Sequence, residues 1–185
     1  MNYMIKPRHM TFADIRAIYR DTHQISLDAS AWDDIKAARD VVDAITKEGR
    51  TVYGINTGFG LLAQTMIPNE QLALLQKNLV LSHSTGVGDY IDEDTVRMIY
   101  VLKISSLAQG HSGIRRSIIE AFIEFVNAGI VACIPEKGSV GASGDLAPLA
   151  HMTATLMGEG SVLYNDEIMP AKDALNQAGL KPIEL

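Results

Sequence analysis

Apolar side chains recur every three to four residues through four stretches of the chain, the spacing of helices with one buried face. The first stretch opens at Ser30: Trp32, Ile35, Ala38, Val42 and Ile45 form one stripe, Asp33 stands at the capping-box position, and Gly49 ends the pattern. The second starts near Asn69, carries Leu72, Leu75 and Leu79, and reaches Ser82 or His83 before Gly86. A third runs from Asp92 through Val96, Ile99 and Leu102 to Gly110, and a fourth from Ser112 through Ile118, Phe122 and Phe125 to Gly129. Four helices with short connections predict a mainly α fold. Around Asn165-Asp166, with Val162 and Tyr164 before and Ile168 after, the pattern changes to that of a small β-hairpin over Ser161 to Met169. A short helix from Ala171 to Ala178, stopped by Gly179 with Pro182 just beyond, completes the reading.

The chain has 185 residues, 47% hydrophobic and 21% charged, which is enough apolar material for one cored domain. With a formal net charge of -6 and sixteen scattered basic residues it lacks the clustered Lys and Arg that phosphate backbones require, so no nucleic-acid partner is expected. No uninterrupted apolar run reaches the ~18 residues of a membrane span, and Met1 to Thr11 holds no run of signal-peptide length. Cys133 is the single cysteine, which suits a reducing cytosol. The expectation is a soluble cytoplasmic protein whose partners are a small molecule and other protein chains.

Two segments fit neither helix nor strand: Tyr53-Gly54-Ile55-Asn56-Thr57-Gly58-Phe59-Gly60 and Gly138-Ser139-Val140-Gly141-Ala142-Ser143-Gly144-Asp145. Both read as glycine-rich loops between helices, where glycine permits positive φ or close backbone approach. A phosphate cradle is disfavoured, because neither loop ends in Gly-Lys-Ser/Thr and the glycine spacing misses the dinucleotide fingerprint. A hydrolase elbow at Ser143 needs glycine two residues on, where Asp145 stands. For a metal site, His9, His23, His83, His111 and His151 lack paired helical spacing with a nearby carboxylate, so each reads first as a surface or hydrogen-bonded structural residue.

The tripeptide Ala142-Ser143-Gly144 admits another chemistry, in which the Gly144 amide nitrogen attacks the Ala142 carbonyl carbon. Two waters then leave, one from the ring carbinol and one from the Ser143 hydroxyl, giving an exocyclic methylidene on an imidazolone. Gly144 has no Cβ to block the approach, Ala142 is small, and Ser143 supplies the β-leaving group. By spacing alone, a plain loop leading into a helix with Asp145 as N-cap accounts for the same residues.

The wider context resembles a known family. The run Gly138-Ser139-Val140-Gly141-Ala142-Ser143-Gly144-Asp145-Leu146-Ala147-Pro148-Leu149-Ala150-His151-Met152 is similar to the signature of the aromatic amino acid lyases, which include histidine, phenylalanine and tyrosine ammonia-lyases and related aminomutases. Val52 to Gly60 resembles that family's loop bearing the catalytic tyrosine, and Leu79 to Gly88 its substrate-selecting segment. The resemblance implies a methylidene-imidazolone cofactor formed autocatalytically from Ala142, Ser143 and Gly144, with Tyr53 as the base that removes a substrate β-proton. It implies that His83 contacts the substrate ring. Phenylalanine-selective members place apolar residues at that position, and the pair Ser82-His83 with small Ser84 looks more like the histidine enzymes than the tyrosine ones, so L-histidine is the expected substrate and trans-urocanate the product. A tyrosine ammonia-lyase or aminomutase, or a non-catalytic interaction module of the same ancestry, remains as the alternative. Family members continue into a long helical bundle and assemble their sites from several subunits of a homotetramer. Residues 1–185 are therefore expected to be an amino-terminal domain truncated before that bundle, inactive alone, with exposed apolar faces.

Overall fold

The computed structural model describes residues 2–20, 24–142 and 144–185; His23 and Ser143 lie outside the described residues. The four striped helices are present. Helix α2, Ala31–Glu48, ends where Gly49 turns left-handed at φ 67° and returns its N–H to the Ile45 and Thr46 carbonyls. Its start differs from the capping box expected at Ser30, which is itself helical and makes no side-chain cap bond. Both the amide and the hydroxyl of Ser30 donate instead to Asp28 Oδ1, at 3.0 and 2.7 Å, because the charged carboxylate is the stronger acceptor. Helix α3, Leu72–His83, follows a single 3-10 turn over Asn69–Gln71. Helix α4, Glu93–Leu107, is capped by Asp92, whose carboxylate accepts the Thr95 N–H at 2.9 Å.

Two boundaries depart from the pattern. Helix α5 spans Arg116–Asn127, four residues later than expected, because 112–115 form a crossing over α2. Gly113 sits at φ +65° so close to that helix that an added Cβ would lie 2.3 Å from Val42 Cγ2. On α4 the buried stripe is Val96, Tyr100, Val101, Ile104 and Leu107, while Leu102 faces outward.

Other elements were not read from the sequence. Helix α1 covers Phe12–Arg20 between strands β1, Asn2–Ile5, and β2, Gln24–Leu27, which pair in parallel. Strand β3, Val87–Tyr90, pairs antiparallel with β5, Pro135–Lys137. The expected hairpin forms as β6, Ser161–Tyr164, and β7, Glu167–Pro170, with Asn165 and Asp166 both at positive φ; it gains a third strand, β4, Val131–Ala132. Helix α6, Leu146–Leu156, follows the second glycine-rich loop, and the short helix expected after the hairpin forms as α7, Ala171–Gln177.

The core lies between α4, α5 and α6. Tyr100 is fully buried there, tilted against Phe125 at 5.4 Å and edge-on to Phe122 at 5.7 Å, with its hydroxyl reaching the Met152 carbonyl and Thr155 Oγ1, each at 3.3 Å. Burial pushes its phenol pKa up, and the neutral hydroxyl serves as a structural donor. Ile104, Ile119, Ile134 and Leu156 extend this core, and Ile5, Ile18 and Ile25 connect the amino-terminal ββ unit to it. That unit is clamped by Asn127 at the end of α5: the Ile25 N–H donates to Asn127 Oδ1 at 2.7 Å, and Asn127 Nδ2 donates back to the Ile25 carbonyl at 2.9 Å. Among the described residues no helix is long and apolar enough to cross a membrane.

Gly110 and Gly129 provide a paired test. Both are left-handed, but a Cβ on Gly110 would lie 2.6–2.8 Å from Asp34 Cβ, C and O, whereas one on Gly129 meets nothing within 4 Å. Gly129→Ala is expected to cost about 1–2 kcal/mol for backbone strain alone, and Gly110→Ala roughly 1 kcal/mol or more beyond that, in urea unfolding. Equal losses would show that α2 and the 108–113 turn do not approach as described.

Candidate active site

The loop over 138–145 is pinned at its ends and open in its middle. At its start, Gly138 packs so tightly that an added Cβ would lie 3.0 Å from Gly86 Cα and 3.2 Å from Ala147 Cβ. At its end, the Ser139 hydroxyl donates to the Asp145 carboxylate, closing the loop across the five residues between them. Asp145 therefore occupies the N-cap position of α6 but makes no side-chain cap bond; its carboxylate is used across the loop. Gly141 and Gly144 flank the intervening residues at φ +72° and +83°, with nothing within 4 Å of either ideal Cβ. Ala142 and Gly144 are exposed. Ser143, expected between them as the source of the leaving hydroxyl, lies outside the described residues.

His83 is the last residue of α3. Its Nδ1 lies 2.7 Å from the Leu79 carbonyl one turn back, and Ser82 Oγ lies 3.2 Å from the same nitrogen. A carbonyl only accepts, so a proton is on Nδ1, and in the neutral tautomer Nε2 is left as an acceptor. No bond to Nε2 is found among the described residues. The chain then turns sharply, with the Thr85 N–H on the His83 carbonyl at 2.9 Å. It leads into β3, whose pairing with β5 lays the His83 segment beside the start of the 138–145 loop.

Tyr53 is elsewhere. Its ring is 63% exposed and stacks edge-on against Phe59 at 5.8 Å. Beneath it the loop is anchored by Asn56, fully buried, which accepts the Val52 N–H at 2.8 Å and donates to the Arg50 carbonyl at 2.7 Å. Thr57 bridges to Met66, and Asn69 reaches back to the Thr46 carbonyl. All these ties lead to the end of α2 or within the loop itself. Among the described residues none leads to 138–145.

Of the residues singled out in the sequence, His83 ends the segment whose Gly86 meets Gly138 at the start of the Ala142 and Gly144 loop, and no hydrogen bond among the described residues links Tyr53 to either. The structure also shows a residue read only as a structural histidine. His151, on α6, accepts the Gly86 N–H through Nε2 at 3.0 Å. Its place four residues after Ala147 was the available signal, since i and i+4 share a helix face.

A model of the aromatic amino acid lyase family matches residues 10–185. The chain belongs to that family. Among aromatic amino acid lyases it is 57% identical over 181 residues to the histidine ammonia-lyase of Salmonella arizonae, covering 98% of this chain and 36% of the relative. Its fold matches the histidine ammonia-lyase of Trypanosoma cruzi with a TM-score of 0.91 at 37% identity, over 100% of this chain and 36% of that one. It matches the ergothioneine-degrading ergothionase of Treponema denticola with a TM-score of 0.95 at 31% identity, over 100% and 37% of the two chains. The chain therefore spans little more than a third of the length of these relatives. Aromatic amino acid lyases use a methylidene-imidazolone. The described residues of the 138–145 loop suit that group: Ser139 and Asp145 hold it closed, and among the described residues nothing lies within 4 Å of an ideal Cβ on Gly141 or Gly144.

Burial lowers the His151 pKa below its ordinary value, in accord with an acceptor nitrogen facing an amide. A histidine depressed in the folded state costs stability on acidification: its contribution is complete above about pH 6.5 and is lost as pH falls toward the folded midpoint. Imidazole nitrogen NMR is expected to show the Nδ1–H tautomer and a midpoint below ~6.5. A midpoint at or above that value would break the assignment.

Proposed function

We propose that this chain is the electrophile-bearing, amino-terminal segment of a longer enzyme that deaminates L-histidine, without oxidation, to trans-urocanate and ammonia. The observation that carries the reading is the state of His83. Its Nδ1–H is committed to the Leu79 carbonyl, so in the neutral ring Nε2 is an acceptor, and His83 ends the segment whose Gly86 meets Gly138 at the start of the Ala142 and Gly144 loop. An acceptor there matches the N–H of an imidazole and has nothing to offer a phenyl ring. The identity to the Salmonella arizonae histidine ammonia-lyase supports the same substrate. A phenol could also donate to Nε2, which makes tyrosine the substrate to test against.

In this reading Ala142, Ser143 and Gly144 are the precursors of the methylidene-imidazolone, which when formed supplies an electrophile for the substrate amine. His83 holds the substrate ring. Tyr53 Oη takes a proton from the substrate β-carbon. Because its loop's hydrogen bonds run, among the described residues, to the end of α2 and within the loop itself, we assign Tyr53 to the site of a neighbouring copy in a homo-oligomer, a tetramer by family resemblance. Its exposed side chain fits that role, as do exposed Leu61 and Leu62 just after its loop, Val140 on the other loop and Leu146 at the start of α6. The remaining substrate contacts then come from parts of the enzyme beyond this segment. The isolated segment is accordingly inactive, and its tripeptide stays linear because the strained closure lacks support.

The test is urocanate formation by the full-length enzyme. Tyr53→Phe is expected to lower kcat by roughly 10²-fold or more while keeping the ring absorbance, and Ser143→Ala to lose both. Near-normal turnover in Tyr53→Phe would remove Tyr53 from the chemistry. His83→Leu should cut the preference for histidine over phenylalanine by about tenfold or more; unchanged selectivity would remove His83 from the pocket. For residues 1–185 alone, intact mass should equal that of the unmodified chain, and a mass short by two waters would show that this segment suffices for cyclisation.

A further inference from the structure

Helix α6 starts directly after the 138–145 loop, and its first two turns face the His83 segment. Ala147 and His151 lie on one side of it, four residues apart. Ala147 meets Gly138, with 3.2 Å to an ideal Cβ there, and Gly138 in turn lies against Gly86 Cα. His151 meets Gly86 itself: its Nε2 takes the Gly86 N–H at 3.0 Å and would lie 3.2 Å from an added Cβ. Thus two residues of α6 grip the pair of glycines at which the two segments cross.

Between His83 and Gly86 the chain is held locally at one end. The Ser84 amide and hydroxyl return to the Val80 carbonyl, at 3.1 and 2.9 Å, and the Thr85 amide to the His83 carbonyl. At the other end, the His151 bond is the one side-chain hydrogen bond among the described residues that reaches the 84–86 turn from another element. Because a backbone N–H donates to it, Nε2 must be unprotonated, and burial favours that neutral form.

We infer that His151 is a positioning residue for the proposed reaction: through its bond to Gly86 it fixes the turn that follows His83, and so sets how firmly His83 holds the substrate ring over the Ala142 and Gly144 loop. The inference rests on the functional reading above. It assigns His151 no contact with substrate. Its effect belongs in binding and selectivity, passed through His83, and it leaves ring formation at 142–144 untouched.

The experiment compares His151→Leu, which has no acceptor, with His151→Gln, whose amide oxygen still has one, in the full-length enzyme. For His151→Leu we expect amide exchange over residues 84–88 to quicken about tenfold or more by hydrogen-exchange mass spectrometry. KM for L-histidine should rise about tenfold with kcat changed by less than about threefold, and the ring absorbance should be kept. His151→Gln should restore both exchange and KM to within about threefold of the unaltered enzyme. Added to His83→Leu, His151→Leu should raise KM by no more than about threefold further, since the two act in series. Unchanged exchange and KM in His151→Leu, full additivity with His83→Leu, or loss of ring absorbance in step with activity would each overturn the inference. Should His151→Leu not fold, His151→Asn, whose shorter amide stops short of Gly86, takes its place with the same expectations. If the unaltered enzyme does not convert L-histidine, the functional reading falls. The exchange comparison of the Leu and Gln variants still decides the link itself: no difference between them would overturn it.

Discussion

The close approach of two backbones, at Gly86 and Gly138, is the constraint on which the site depends. A Cβ at Gly138 would sit 3.0 Å from Gly86 Cα, a distance that real side chains do not tolerate without movement. The absence of both side chains lets β3 and β5 converge, and that convergence brings the turn that follows one helix against the loop that leads into another. The contact is held by backbone pairing, the buried Pro135 ring against Gly86, Ala147 against Gly138, and the His151 imidazole. Polar ties of this kind fix direction as well as distance, which a purely apolar contact does not.

The molecule divides its work between two kinds of surface. Tyr100, Phe122 and Phe125 form an interior in which the buried hydroxyl finds partners. Helix α3, by contrast, has no fully buried residue, and Leu72, Leu75 and Leu79 are each only half covered. Leu61 is fully exposed and Val140 nearly so. Apolar groups left open on loops that also hold the candidate chemistry are a cost in a free segment, and such patches commonly mark surfaces that other protein covers.

Much of this was legible in the sequence where one face alone is buried. Helices α2 to α5 were visible because polar residues separate their apolar stripes, and the hairpin because Asn165 and Asp166 tolerate the positive φ that its turn requires. Helix α6 was not, since Leu146–Leu156 is apolar on nearly every side and shows no stripe. Strands of two to four residues are too short to show alternation, and the capping box at Ser30 lost to a carboxylate two residues earlier. For the site, motif resemblance pointed to Ala142, Gly144, Tyr53 and His83. It did not reveal the His151 bond to Gly86, because a tie between residues 65 apart leaves no local pattern. Nor did it show that the Tyr53 loop is moored to α2, which depends on Asn56 being turned inward.

Asn127 has a consequence of another kind. Its side-chain amide satisfies both the donor and the acceptor of Ile25, as a neighbouring strand would. A two-stranded parallel sheet is otherwise a template with unpaired rungs, ready to recruit an extended segment from a foreign chain. Filling those rungs at Ile25 with one amide from the end of α5 obstructs strand addition along β2, so in the folded molecule this two-stranded sheet is guarded there against edge-to-edge pairing.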